Sequence, residues 1–259
     1  MAMHHTQTVT APVPIGELLD AWLAVQRGHF RRAEQRGDVW VPVEGETPVV
    51  VIGCLGSAGT SSVALALASA AERARVIECA PGGCSGLAGA ATAELGTVAD
   101  GWVAGRRDDL GILRRADQVP APDDLPLPPK GEAGVTVVDC WWEVRQSLHA
   151  VGWLGELLRE CPRVVLVTPA SIPGFRRVEI CLGMLGPTRC WVAVAGAPKR
   201  RTEAALDRWV GPLTEQLRDD GRLVRFPFVS QLAVSGITSE PLPRSLQLAA
   251  VGLLKGLLS

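Results

Sequence analysis

Lysine is nearly missing from this chain: Lys130, Lys199 and Lys255 are the only three among 26 basic residues, and none stands before residue 130. A charge excess is missing as well. With 26 basic against 27 acidic side chains the net charge is −1, which excludes a global field drawing the chain to nucleic acid or acidic lipid, so any such contact must be local. Histidine gives no foothold for a nucleophilic triad, since His4 and His5 stand near the start and His29 and His149 are isolated. Long apolar runs are broken by Glu72, Glu179 or Arg189, short of the ~18–20 uncharged residues that crossing a bilayer requires. A secretory leader pattern and paired CxxC spacings are both lacking. The seven cysteines are odd in number and several sit in apolar strand-like runs, so reduced thiols in a cytoplasm are expected.

What is present is an ordinary globular composition, 47% hydrophobic and 20% charged over 259 residues. That fits one large α/β domain with an appendage. Residues 1–14 are polar and unpatterned and read as a flexible tail. Residues 15–47 read as an amphipathic helix and linker, with Ile15, Leu18, Leu19, Trp22, Val25, Phe30 and Ala33 near helical spacing, expected to pack on its own domain. From 48 to 259, short β-branched runs alternate with longer helical segments. Strands are expected at 49–53, 75–79, 135–139, 163–168, 190–195 and 223–227, with another at 109–113. Helices are expected at 60–73, 143–160, 171–185, 202–220 and 242–258, and a proline-rich surface loop at 121–134. Such alternation implies a doubly wound, mostly parallel sheet flanked by helices.

The first strand runs directly into Gly53-Cys54-Leu55-Gly56-Ser57-Ala58-Gly59-Thr60-Ser61-Ser62 and then an alanine-rich helix. A glycine-rich turn that opens a helix aims backbone N–H groups and the helix dipole at one point, where an anion is stabilised. A working phosphate loop also needs a lysine after the last glycine and a hydroxyl for magnesium. Ser61 offers the hydroxyl, but Thr60 occupies the lysine place.

With these residues the sequence resembles the ParA/MinD family of P-loop ATPases over most of 49–258. In loop shape it is similar to the atypical branch of pilus-assembly and septum-site proteins, the CpaE, TadZ and Ssd-like group. RVIECAPGGCSGL resembles the segment after the family's second strand, with Glu78 at the first acid and Ala80 where the catalytic acid belongs. VTVVDC supplies Asp139 at the second acidic strand end. CWVAVAGAPKRR resembles the strand that ends in an adenine-reading asparagine, replaced here by Ala195 and Gly196. The resemblance implies ATP or ADP with magnesium, bound weakly or not at all, by Gly53, Gly56, Ser57, Ala58, Gly59, Thr60, Ser61, Ser62 and Asp139. Ser61 and Asp139 act as metal ligands only if magnesium-nucleotide binds.

The departures carry a cost. Loss of the ammonium removes a contact of about 1.5–3 kcal/mol, and hydrolysis loses both charge neutralisation and the acid at position 80. The expectation is a non-hydrolysing localisation, assembly or regulatory factor acting through protein partners; if it forms a homodimer, it does so without ATP. One alternative is a divergent ATPase whose cation comes from Arg106, Arg107, Arg176 or Arg177; another is a DNA-binding partition protein using Lys199, Arg200 and Arg201. Asp139 is placed either to hold a magnesium water or to cap the following helix. One of Trp141 and Trp142 is expected in the core, and one is expected to occlude part of the cleft. Cys54, Cys79, Cys84 and Cys140 fall at strand ends that the fold brings together, without ligand spacing for a metal. The closing segment SLQLAAVGLLKGLLS is expected to pack on the sheet.

Overall fold

The computed structural model describes residues 39–197 and 206–259, together with Ile15, Leu19 and Trp22. The chain divides after Arg36 into two units. In the first, Ile15, Leu19 and Trp22 are helical and exposed; the rest of the 15–47 helix expected from the sequence lies outside the described residues up to Asp38.

The second unit is built on a nine-stranded sheet. Its strands are β1 (Glu46–Gly53), β2 (Ala74–Cys79), β3 (Ala93–Ala99), β4 (Trp102–Arg107), β5 (Leu110–Arg115), β6 (Gly134–Cys140), β7 (Val164–Pro169), β8 (Cys190–Ala197) and β9 (Leu223–Pro227), in the order β3-β4-β5-β2-β6-β1-β7-β8-β9. Seven strands from β5 to β9 pair in parallel. β3 and β4 add an antiparallel extension at one edge.

The helices are α1 (Thr60–Ser69), α2 (Val144–His149), α3 (Trp153–Glu160), α4 (Ile172–Leu185), α5 (Pro212–Asp219), α6 (Ser230–Ser235) and α7 (Arg244–Leu258). They cover both faces, and the apolar runs follow from that. Val49 and Val51 pack with α1 and α7 on one side, while Val50 and Ile52 pack with α3 and α4 on the other. α1 is buried from Val63 to Ala68, and its alanines let it lie close to the sheet. The closing helix packs on α1 and β9, as expected from the sequence.

Local chemistry adds one element to the sequence expectations and corrects two. The hairpin β3–β4 was not anticipated, although Asp100-Gly101, both at positive φ, forms its turn. The helix expected over 143–160 is two helices, because Gly152 at φ 122 interrupts it and Asp123 takes the Val151 N–H at 2.6 Å. The proline-rich loop is no loose surface loop. Trp102 donates its indole N–H to the Leu127 carbonyl and Trp153 to those of Leu125 and Pro126, each at 3.0 Å, while Pro122 and Leu125 are buried.

Candidate functional site

β1 is the switch point of the sheet: α1 carries the chain over β6 to β2, while β7 lies on the other side of β1. In open parallel sheets the strand ends at such a point leave a crevice. Here it is a cavity of about 1110 Å³ that collects all nine residues singled out from the sequence, Gly53, Gly56, Ser57, Ala58, Gly59, Thr60, Ser61, Ser62 and Asp139.

The loop is tightly built. Gly59 caps α1 at φ 86, and Ser57 holds φ 57, a left-handed conformation uncommon for a residue with a side chain. A Cβ on Gly53 would stand 2.7 Å from the Thr60 Oγ1 atom, so Thr60 turns its hydroxyl back onto the start of the loop. A Cβ on Gly86 would stand 2.6 Å from the Ser61 Oγ atom, which makes Gly86 the residue that admits Ser61.

Two acids meet beside this loop. Glu78 on β2 lies opposite Asp139 on β6 in register, and both are buried. Burial and then the Glu78 charge push the Asp139 carboxyl up to about 7, opposed by a hydrogen bond from Ser61. The capping alternative for Asp139 is not what the structure has, since the N-cap of α2 is Glu143 and no side chain caps it. Glu78 is also raised by burial, but its carboxylate accepts from the Ser85 hydroxyl at 2.5 Å, the Gly86 N–H at 2.6 Å and the Leu87 N–H at 2.9 Å. Ala80 is buried and brings no acid.

No lysine or arginine lines the cavity among the described residues. Arg107, one of the candidate cations, is buried and donates to the carbonyls of Ala90, Thr238 and Glu240. Arg176 lies over the Trp209 ring, Arg177 pairs with Glu143, and Arg106 is exposed on β4. Lys199, Arg200 and Arg201 lie outside the described residues.

Trp142 is in the core and Trp141 is about half exposed, with the two rings edge-on at 6.0 Å. Both border a cavity that stays roomy. The opposite wall, which sequence reasoning missed, is apolar: Phe226, Phe228, Leu232 and Ile237 follow or end β9. The rule that strand ends at a switch point border the crevice was the available signal. Of the four cysteines at strand ends, Cys54, Cys84 and Cys140 line the cavity and Cys79 lies beside Cys140 in register; no group of three or more His, Cys, Asp or Glu among the described residues is placed to hold a metal. No helix among the described residues is long and apolar enough to cross a membrane.

No family model matches the chain, and no curated protein matches it. Solved structures do. A plasmid partition protein of Borrelia burgdorferi B31, bound to AMPPNP, superposes with a TM-score of 0.52 at 12% identity over 82% of this chain and 98% of its own. A ParA family ATPase of Chlorobium tepidum TLS gives 0.49 at 14% identity over 81% and 98%, and the cell division ATPase MinD of Pyrococcus furiosus 0.48 at 15% over 81% and 97%. At such identities the likeness is one of architecture, and the architecture of this chain is the ParA/MinD-like α/β fold.

Proposed function

We propose that this protein is a ParA/MinD-fold factor whose cleft does not turn over nucleotide and which works in localisation or assembly through protein contacts. The observation that carries the reading is the cavity wall: a phosphate-type loop and a Ser61–Asp139 pair without a described cation among the lining residues. The oxygens of Ser61 and Asp139 are hard donors suited to magnesium, and the loop suits an anion. When bound, magnesium would supply charge to phosphate oxygens. The chain's own part is then to orient the polyphosphate through loop N–H groups and exclude water with the Trp141 and Phe228 walls. The position that neutralises a transferring phosphoryl is filled by the Thr60 hydroxyl, and Ala80 cannot orient a water.

Pilus or secretion machinery, septum placement and mobile-element maintenance are the processes this reading points to. The test is a calorimetric titration with ATP and ADP, with and without magnesium, followed by phosphate release on the same sample. Release at the rate of buffer is expected, with or without a binding isotherm. Turnover abolished by Ser61→Ala would overturn the reading. Sedimentation is expected to give the same oligomeric state with and without ATP.

A further inference from the structure

The cavity has two unlike sides. Every hydroxyl, amide and carboxylate side chain lining it stands on the loop, in the first turn of α1, at the end of β6 or between Glu143 and Gln146. The side made by the ends of β7, β8 and β9 with α6 has none among the described residues: Ala195, Gly196, Phe226, Phe228, Leu232 and Ile237 line it. The two sides meet at Gly59, where a built Cβ would stand 3.4 Å from the Ala195 Cβ atom. Gly196, at φ 70, lies against Phe228, whose Cδ2 atom would be 3.8 Å from a Cβ at 196. Phe226 is buried in the core, but Phe228 is 62% exposed although it borders the cavity, so much of its ring has no protein over it. The main chain of this side is engaged as well. The Ala195 carbonyl accepts from the Ala170 N–H at 3.0 Å, the Val229 carbonyl from the Ala233 N–H at 3.1 Å and the Leu232 carbonyl from the Gly236 N–H at 3.0 Å, while Pro227 has no N–H to give. One nucleobase is told from another by hydrogen bonds to its edge. A wall that offers only apolar contact and stacking discriminates weakly, because every base has a π-face.

We propose that this cleft binds nucleoside triphosphates by their phosphates and stacks the base on Phe228 without reading its edge, so that ATP, GTP, CTP and UTP bind alike. The inference rests on the reading of the loop as an anion site and adds to it the class of ligand. The end of the polyphosphate nearest Ser61 and Asp139 lies toward β6. The nucleoside end then runs past Gly59 to Ala195 and the apolar side, away from Glu78 and Asp139, whose strands lie on the other side of β1. There the ring covers exposed apolar surface, and no side chain is left with a hydrogen bond to make or lose when one base replaces another.

The experiment titrates the full-length chain by calorimetry with ATP, GTP, CTP, UTP and inorganic tripolyphosphate, each with magnesium. The nucleotides are expected to bind within about three-fold of one another. Tripolyphosphate is expected to bind more weakly by roughly 5- to 150-fold, the worth of one stacked base. Phe228→Ala, a change at an exposed ring, should weaken all the nucleotides together by about five-fold or more and leave tripolyphosphate within about two-fold of wild type. A preference of about ten-fold or more for one base would overturn the proposal. So would tripolyphosphate matching the nucleotides, or Phe228→Ala binding as wild type does. No isotherm for any probe at millimolar concentration would overturn it too, and would leave the reading of a cleft without turnover standing. Phosphate release with level affinities would overturn that reading and leave this inference in place.

Discussion

At the ends of β2 and β6, Glu78 and Asp139 stand opposite each other in register, each with at most 3% of its surface exposed. Burial raises both, but their surroundings differ. The carboxylate of Glu78 is occupied by a hydroxyl and two backbone N–H groups of residues 85–87, so it ties the turn after β2 to the sheet. Asp139 has one hydrogen bond of this kind, from Ser61, and borders the cavity. A buried acid whose lone pairs are engaged is a tether. One left short of partners beside open space is a binding group, held at a cost in stability.

The largest expected effect tests the tether. Glu78→Ala leaves the Gly86 and Leu87 N–H groups and the Ser85 hydroxyl without their acceptor, for a loss of about 3–4 kcal/mol in denaturant unfolding. It also removes the charge opposite Asp139, whose carboxyl should titrate lower. A loss under about 1 kcal/mol would show that the turn stands without Glu78.

Next in size is Thr60→Lys, which returns an ammonium to the loop beside the Ser61–Asp139 pair. A charge-assisted contact of about 1.5–3 kcal/mol corresponds to roughly a 10- to 200-fold gain in AMPPNP affinity by calorimetry. An unchanged isotherm would mean that the loop is closed to polyphosphate for another reason, the packing of Thr60 on Gly53 being the first to consider.

Asp139→Asn comes third. The carboxyl is raised from 3.8 to about 7, so the folded state binds its proton more tightly than the unfolded chain does. Its contribution to stability is therefore full below about pH 4 and is lost as the pH rises through 7. Without magnesium or nucleotide, the variant should lose less stability than wild type between pH 4.5 and pH 8, by about 3 kcal/mol, because the amide has no charge to desolvate. Parallel pH profiles for the two proteins would remove Asp139 from the binding role.

The parallel core could be read in advance because its strands are buried on both faces, leaving uninterrupted runs such as VVVIG and VTVVD with an anion-type turn after the first. The antiparallel hairpin could not be read the same way. β3 is exposed along its whole length and mixes Leu95 and Val98 with polar residues, so only the Asp100-Gly101 turn marked it. Within the site, the loop and Asp139 follow from local spacing. The spending of Arg107 on the carbonyls of Thr238 and Glu240 and the meeting of Glu78 with Asp139 join residues far apart in sequence. Spacing carries no trace of such contacts.

Ser61→Ala is the smallest change and the sharpest for the comparison. It removes the hydroxyl that donates to Asp139 and leaves the bonds of Glu78 in place, so the difference between the two acids should widen. Ser61 lies against Gly86 and the change shortens it by one atom, so the stability cost should stay near 1 kcal/mol. The titration should move more clearly. That hydrogen bond lowers the Asp139 carboxyl, so without it the midpoint should rise above 7, read from the carboxyl carbon shift of Asp139 against pH. A midpoint that stays put would mean that water already supplies the bond, and Asp139 would then be open to solvent rather than to a ligand.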